Sequence, residues 1–257
     1  MAKIRLSKNN RRYGYIKDAS DKRDYLYKSI APRRITVPDK VDLREFCSPV
    51  EDQGSLGSCT ANAIAANLEF LDKKLDGQYV DISRLFVYYN ERALEGSVNE
   101  DAGAQLRDGI KSLVTLGSCA ESLWPYNIND FALKPYTGCY EDALNHRITS
   151  YHRLERLADM LLCLAEGYPF VFGIMIYKSF ETAKVAKTGI VEMPSLMERW
   201  FGGCLGGHAV CAVGYNRITK RFLVRNSWGS NWGQEGYFTI PFSYLEKYGS
   251  DFWTIRK

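Results

Sequence analysis

The sequence predicts an α+β fold made of two lobes with a cleft between them. Helical periodicity dominates the first half of the body of the chain, and short apolar runs of strand length dominate the second half. Helices followed by strands are typical of this class, and a cleft between lobes is a usual place for a site. The chain has 257 residues, 46% hydrophobic and 25% charged, enough for a large core. This composition excludes disordered, collagen-like and coiled-coil proteins.

Four segments have the periodicity of helices. In the first, 59–74, apolar residues recur every three or four positions, which predicts a single apolar stripe. The stripe consists of Ala61, Ile64, Ala65, Leu68, Leu71 and Leu75. A second helix is predicted over 81–94, with Ser83 as its N-cap. A third over 105–116 is stopped by Gly117, and a fourth over about 154–166 ends before Pro169.

Four later segments are predicted to be strands. Residues 170–177 form a continuous apolar run of strand length. Residues 209–215, 222–225 and 237–240 are short, rich in β-branched or aromatic side chains, and separated by glycine and asparagine turns.

The charge distribution divides the chain into an extension and a body. Residues 1–40 carry twelve Lys or Arg and four Asp, whereas the rest carries 22 basic and 26 acidic side chains. A slightly acidic body argues against nucleic-acid binding, which needs clustered basic charge on the folded part. We therefore expect a basic extension over 1–36 and a body over 37–257. Its helical lobe would span about 42–125 and its β-rich lobe about 126–257.

Three interpretations of the extension remain open. It could be a solvated basic tail, a tail that binds nucleic acid or an anionic membrane, or a strap that covers the cleft and inhibits the protein. Disordered tails usually lack aromatic residues, yet this one contains Tyr13, Tyr15, Tyr25 and Tyr27. The tyrosines and the opposite charge of the body favour docking of the extension as an intramolecular inhibitor.

No membrane span, metal or cofactor is expected. The longest apolar run without a charge covers ten residues, 168–177, and a spanning helix needs about twenty. Residues 1–12 are basic and lead into no signal-like apolar stretch, which predicts a cytoplasmic protein, with non-classical export left open. In that compartment the seven cysteines would be thiols. They are Cys47, Cys59, Cys119, Cys139, Cys163, Cys204 and Cys211, and none forms a CxxC pair. His146 and His152 lack neighbouring ligand residues and are expected at the surface.

The sequence 53–60 places a cysteine at the start of a predicted helix, after a glycine-rich turn. Free N–H groups at a helix N-terminus lower a thiol pKa, although a lone Cys59 is more often simply buried. His208 directly precedes one predicted strand, and Asn226 follows the next. Together the three residues supply a nucleophile, a base and a group that orients the base.

At these residues the sequence resembles the papain-like cysteine peptidases. His208 lies 149 residues after Cys59, and Gln53 lies six residues before it, in agreement with the spacing of that family. The segments 226–229, Asn-Ser-Trp-Gly, and 41–44, Val-Asp-Leu-Arg, also look like the family. The resemblance covers about residues 37–257 and implies a papain-like catalytic domain, with a helical left lobe and a β-barrel-like right lobe.

The resemblance also implies roles for individual residues. Cys59 would attack a peptide carbonyl as a thiolate paired with the His208 imidazolium. Asn226 would orient the imidazole, and Gln53 with the Cys59 backbone N–H would hold the oxyanion. The substrate would be a polypeptide, bound in part by Gly103, Gly207 and Trp228.

The sequence departs from the family at Leu56, where a cysteine is usual, and at Thr60, where an aromatic residue is usual. The disulfides of the family are therefore not carried over. Two other functions remain open, namely acyl transfer on the same fold and a non-catalytic binding module.

Overall fold

Residues 11–32 and 34–257 are described by a computed structural model, in which helices and strands segregate as expected. Within these residues the α-helices are α1 Cys59–Asp76, α2 Arg84–Glu95, α3 Leu106–Thr115, α4 Thr137–Ala143, α5 Leu157–Ala165, α6 Ala183–Thr188, α7 Leu196–Trp200 and α8 Phe242–Tyr248. The strands are β1 Tyr15–Ile16, β2 Lys40–Asp42, β3 Ala104–Gln105, β4 Ser150–Leu154, β5 Phe170–Tyr177, β6 Cys204–Asn216, β7 Arg221–Arg225, β8 Tyr237–Pro241 and β9 Gly249–Arg256. The α+β prediction is confirmed.

A seven-stranded sheet forms the β-rich lobe. Its strand order is β4-β9-β5-β6-β7-β8, and β2 pairs with β6. Alternate side chains of β5 enter different cores. Phe170 and Phe172 pack with α5 and α8, whereas Val171 packs with α1 to α3. Because side chains alternate across a strand, this sheet buries both faces, which is why the apolar run 170–177 is continuous.

Helix α1 is buried on all sides over its first fourteen residues, Cys59 to Asp72. The predicted single stripe is therefore wrong, and its last member, Leu75, is 53% exposed. The helix lies between one face of the sheet and the pair α2 and α3. Its polar residues remain buried because they have partners; the Glu69 carboxylate, for example, accepts from the Ile82 backbone N–H at 3.0 Å.

The other element predictions are confirmed with small changes of bounds. The Ser83 side chain accepts the Phe86 N–H and caps α2, and β5 spans Phe170–Tyr177 as predicted. Helix α5 begins at Leu157, not near 154, because Ser150–Leu154 pairs with β9 instead. Strands β4 and β9 were not predicted.

The predicted lobe boundary near residue 125 is too early. Helix α4 packs against α2, where the rings of Tyr140 and Phe86 lie 4.9 Å apart, and Cys139 and Ala143 share a core with Phe86 and Cys119. Residues 137–143 therefore belong to the helical lobe. At the other end of the predicted helical lobe, β2 pairs with β6, so this strand belongs to the sheet.

The surface prediction is wrong for His152, whose ring is buried on β4, with 8% of the residue exposed. Burial lowers the pKa of this imidazole, and Arg256 lowers it further. His146 is half-buried. No helix in the described ranges is both long and apolar enough to span a membrane.

Candidate active site

Cys59 is the first residue of α1, and none of it is exposed to solvent. Two backbone N–H groups outside its own helix, those of Ala209 and Gly14, act on the sulfur and favour the thiolate by lowering the thiol pKa. Ala209 follows His208 directly on β6. The helical lobe and the sheet therefore meet at the Cys59 sulfur, next to the predicted base.

The His208 ring is held in one orientation by the residues that follow β7. Its Nε2 lies 2.8 Å from the Asn226 Oδ1. The Asn226 Oδ1 also accepts the Ser227 backbone N–H at 2.9 Å, which fixes the oxygen on this side of the amide. Since that oxygen can only accept, Nε2 carries the proton, and Nδ1 of a neutral ring is left as the acceptor. Within the described part of the chain, this buried Nδ1 has no hydrogen-bond partner.

Trp228 covers the hydrogen bond between His208 and Asn226. The indole and imidazole rings are stacked, with centroids 4.8 Å apart and planes 25° apart. Trp228 is itself buried and packs edge-on against Phe180 and Trp232. The guanidinium of Arg11 lies over its ring, 4.2 Å from the centroid. Trp228 therefore excludes water from one side of the pair.

Burial shifts the pKa values of both reactive groups toward their neutral forms. It raises the pKa of the Cys59 thiol to about 12, and the nearby Glu91 adds to this effect. Burial also lowers the pKa of His208 to about 4, although the hydrogen bond that the ring donates to Asn226 acts in the opposite direction. In this covered arrangement both the thiol and the imidazole are neutral at pH 7.

Gln53 lies beside this pair and is fully buried. Its side-chain oxygen accepts from the Ser227 hydroxyl at 2.7 Å, which orients the amide. The amide nitrogen donates to the Leu56 carbonyl at 2.9 Å and to the Arg12 carbonyl at 3.4 Å. A carbonyl oxygen of the extension thus lies against one of the two predicted oxyanion donors.

Residues 11–32 of the extension, which we call the strap, run through the groove between the lobes. Gly14 lies over the nucleophile, and its carbonyl accepts the Ala104 N–H at 2.8 Å. A Cβ added to Gly14 would lie 1.7 Å from the Gly57 carbonyl oxygen, so that only glycine fits here. Beyond it, β1 pairs in parallel with β3.

The three predicted substrate-binding residues all line the groove that the strap fills. A Cβ on Gly103 would lie 2.0 Å from the Gly14 carbonyl oxygen, and one on Gly207 would lie 2.6 Å from the Tyr15 carbonyl oxygen. The Trp228 ring contacts the Tyr13 ring, with centroids 6.4 Å apart. These contacts are made to the strap, and they leave no room for a second chain.

Two tyrosines of the strap are buried in the groove. Tyr13 is buried beside His208, and its hydroxyl donates to Glu181. Tyr15 is buried against Gly173, and its hydroxyl reaches Asp251 and, at 2.7 Å, Ser250.

Sequence reasoning missed the groove residues that hold the strap. A glycine inside an apolar strand often marks a close approach of another chain, so Gly173 carried a readable signal. Asp251 carried none, since its positive φ of 54° and its contact with Tyr15 arise only in the folded chain.

Comparison with known proteins identifies the family. A family model described as papain family cysteine protease matches residues 37–249. This chain belongs to the papain family of cysteine proteases. The family prediction is confirmed.

Two relatives match almost the whole chain. A peptidase C1-like protein of Acanthamoeba polyphaga mimivirus is 42% identical over 96% of this chain and 88% of its own length. The crystal structure of xylellain, a cysteine protease from Xylella fastidiosa, is 39% identical, with a TM-score of 0.85, and covers 100% of this chain and 99% of its own. Both alignments extend over most or all of the strap.

More distant relatives match a smaller part of their own length. Cysteine proteinase 1 of Entamoeba histolytica is 28% identical over 80% of this chain and 64% of its own. The cathepsin L-like proteinase of Fasciola hepatica is 27% identical over 79% of this chain and 60% of its own.

Proposed function

We propose that this chain is an endopeptidase that cleaves polypeptides, with Cys59 as its nucleophile. The observation that carries the proposal is the hydrogen bond of 2.8 Å from His208 to Asn226 beside the Cys59 sulfur. It leaves the Nδ1 lone pair of the ring free to accept a proton. The relatives named as cysteine proteases favour this function over acyl transfer or a non-catalytic module.

In the proposed reaction, the thiol proton moves to Nδ1 of His208 and the sulfur attacks the substrate carbonyl carbon. The resulting oxyanion would accept hydrogen bonds from the Cys59 N–H and the Gln53 side-chain amide. One such donor typically raises the rate about 10²–10³-fold. The imidazolium then gives its proton to the leaving amine, and water hydrolyses the acyl-enzyme. Asn226 keeps the ring oriented through these steps.

We also propose that the strap is an intramolecular inhibitor. Gly14 occupies the space over the nucleophile, and the Arg12 carbonyl lies against Gln53. Tyr13 and Tyr15 fill pockets next to the active site. Burial by this segment also favours the neutral thiol and imidazole. Displacement of the strap would admit both water and substrate.

Peptide digestion by the full chain tests the proposal. Mass spectrometry of a peptide mixture should detect cleavage at internal bonds that is slow in the full chain and faster in a Tyr15→Ala variant. Cys59→Ser should abolish this cleavage. Cys163→Ser is the matched control, at a buried cysteine in the core that contains Phe170 and Phe172, and it should not abolish cleavage. Retained turnover in Cys59→Ser would exclude the proposed nucleophile. Products that carry an added amine acceptor would indicate acyl transfer instead. The cytoplasmic location stays a prediction.

A further inference from the structure

Beyond the Tyr15 pocket, two acidic residues of the strap meet two arginines of the body. Asp24 lies 3.3 Å from the Arg107 guanidinium and 3.1 Å from that of Arg153. Asp18 lies between the same arginines, at 4.0 and 3.8 Å. The Asp18 carboxyl group is completely buried, and only 7% of the Arg107 side chain is exposed. Every ion pair that Arg107 makes within the described residues is with the strap.

The Asp18 carboxyl group is surrounded by hydrogen-bond donors. The Trp253 indole N–H donates to its Oδ2 at 2.8 Å. The Arg107 backbone N–H, in the first turn of α3, donates to its Oδ1 at 3.2 Å. The two guanidinium groups complete the site, and the Arg153 guanidinium also lies over the Trp253 ring, 5.0 Å from its centroid. A carboxyl group satisfies these donors, whereas a side-chain amide would turn an NH₂ group toward at least one of them.

Removal of the strap would vacate this site without dismantling it. Trp253, Arg107 and Arg153 all belong to the body, on β9, α3 and β4. Arg153 would keep its contact of 2.6 Å with Asp251, whereas Arg107 would lose both of its carboxylate partners. Two guanidinium groups would then face one carboxylate. Such a site attracts another acidic group, because a desolvated charge needs a partner.

The site is within reach of a peptide bound at the nucleophile. Asp18 follows Gly14 by four residues, and Gly14 packs against Gly57, two residues before Cys59. Four residues of extended chain span at most about 14 Å. A substrate in the same groove could therefore place a side chain here from three to five residues away from its cleaved bond.

We infer that Arg107, Arg153 and Trp253 form a substrate subsite that binds an acidic side chain, which Asp18 of the strap occupies in the covered enzyme. This inference rests on the proposed peptidase function and on the proposed displacement of the strap. It adds that polypeptides with Asp or Glu near the cleaved bond are preferred.

The test uses the full chain with a weakened strap, carrying Tyr15→Ala and Asp18→Ala. Internally quenched peptides carry Asp or Asn at each position up to five residues on either side of the cleaved bond. The assay is run at pH 7, so that the Asp side chain of the free peptide is ionised. At one or two adjacent positions, kcat/KM for the Asp peptide should exceed that for the Asn peptide about ten-fold or more.

Arg107→Met and, separately, Arg153→Met should reduce this ratio toward one while the Asn peptide is still cleaved. Arg217→Met, at an exposed pair with Asp39, is the matched control and should leave the ratio unchanged. An Asp-to-Asn ratio near one at every position would overturn the subsite while leaving the peptidase intact. A high ratio that persists in both Met variants would do the same.

Absence of all cleavage would count against the proposed function rather than the subsite. The subsite is then decided by fluorescence anisotropy, with the same peptides bound to the weakened-strap chain that also carries Cys59→Ser. Tighter binding of the Asp peptide, lost in Arg107→Met, would support it. Equal binding of the Asp and Asn peptides would refute it.

Discussion

The hydroxyl group of Tyr15 should determine how often the strap leaves the active site. The group donates to the buried Asp251 carboxylate and lies 2.7 Å from the Ser250 hydroxyl. Tyr15→Phe keeps the ring against Gly173 and removes only these contacts. A hydrogen bond to a charged group contributes about 1.5–3 kcal/mol. The open fraction should therefore rise about 10- to 150-fold, as long as the covered form still predominates.

The rate of Cys59 alkylation by iodoacetamide reports this fraction, since the sulfur is fully buried while the strap is in place. Peptide hydrolysis should rise by the same factor. Both rates should be higher in Tyr15→Ala than in Tyr15→Phe, because the alanine variant also loses the buried ring. Tyr25→Phe makes the same chemical change in the same strap at a side chain that is 66% exposed, and it should alter neither rate.

Equal alkylation rates in Tyr15→Phe and the unaltered chain would refute the reasoning that the Tyr15 contacts hold the strap. A rise in alkylation without a rise in hydrolysis would separate the two proposals, since it would show an accessible thiol that does not cleave peptides.

Three further predictions concern the oxyanion donor, the pH response and the core. In the Tyr15→Ala chain, Gln53→Ala should lower kcat about 10²–10³-fold. Gln234→Ala, at an exposed amide, should leave kcat unchanged. An unchanged kcat in Gln53→Ala would show that Gln53 is not an oxyanion donor. Burial and the nearby Asp251 raise the pKa of Asp18 from 3.8 to about 6, so the docked strap binds a proton more tightly than the free strap. Docking should then be strongest below about pH 4, weaken as the pH rises through about 6, and stay constant above that. The alkylation rate relative to Asp18→Asn should rise over this window, and a flat ratio would contradict the shift. Phe170→Ala, at a fully buried ring, should lower the free energy of unfolding in urea by about 3–5 kcal/mol, while Phe201→Ala, 76% exposed, should change it little.

The residues nearest the nucleophile were predictable because their chemistry is local. A cysteine after a glycine-rich turn, a histidine before a strand and an asparagine after the next can all be recognised in short stretches of sequence. The structure brings Cys59 next to the residue after His208 and joins His208 to Asn226. Docking of the extension was predictable from its tyrosines, but the pockets that hold Tyr13 and Tyr15 are formed by distant segments.

Strand β9 shows why other elements were missed. It pairs with β4 on one side and β5 on the other, and its buried residues include the polar Asp251 and Thr254. Asp251 is stabilised by Arg153, which lies 98 positions away in the chain. A pattern of apolar residues cannot reveal a buried charge whose partner is so distant. The polar residues of α1 misled the stripe prediction in the same way.

The strap and the catalytic body belong to one polypeptide, joined through an exposed connector at 34–36. A short flexible tether holds its two ends at an effective concentration of about millimolar. A strap that binds only modestly can therefore keep nearly every molecule covered, whatever the dilution. A single break in the connector would replace that local concentration with the bulk one, and the inhibitor would be lost by diffusion alone.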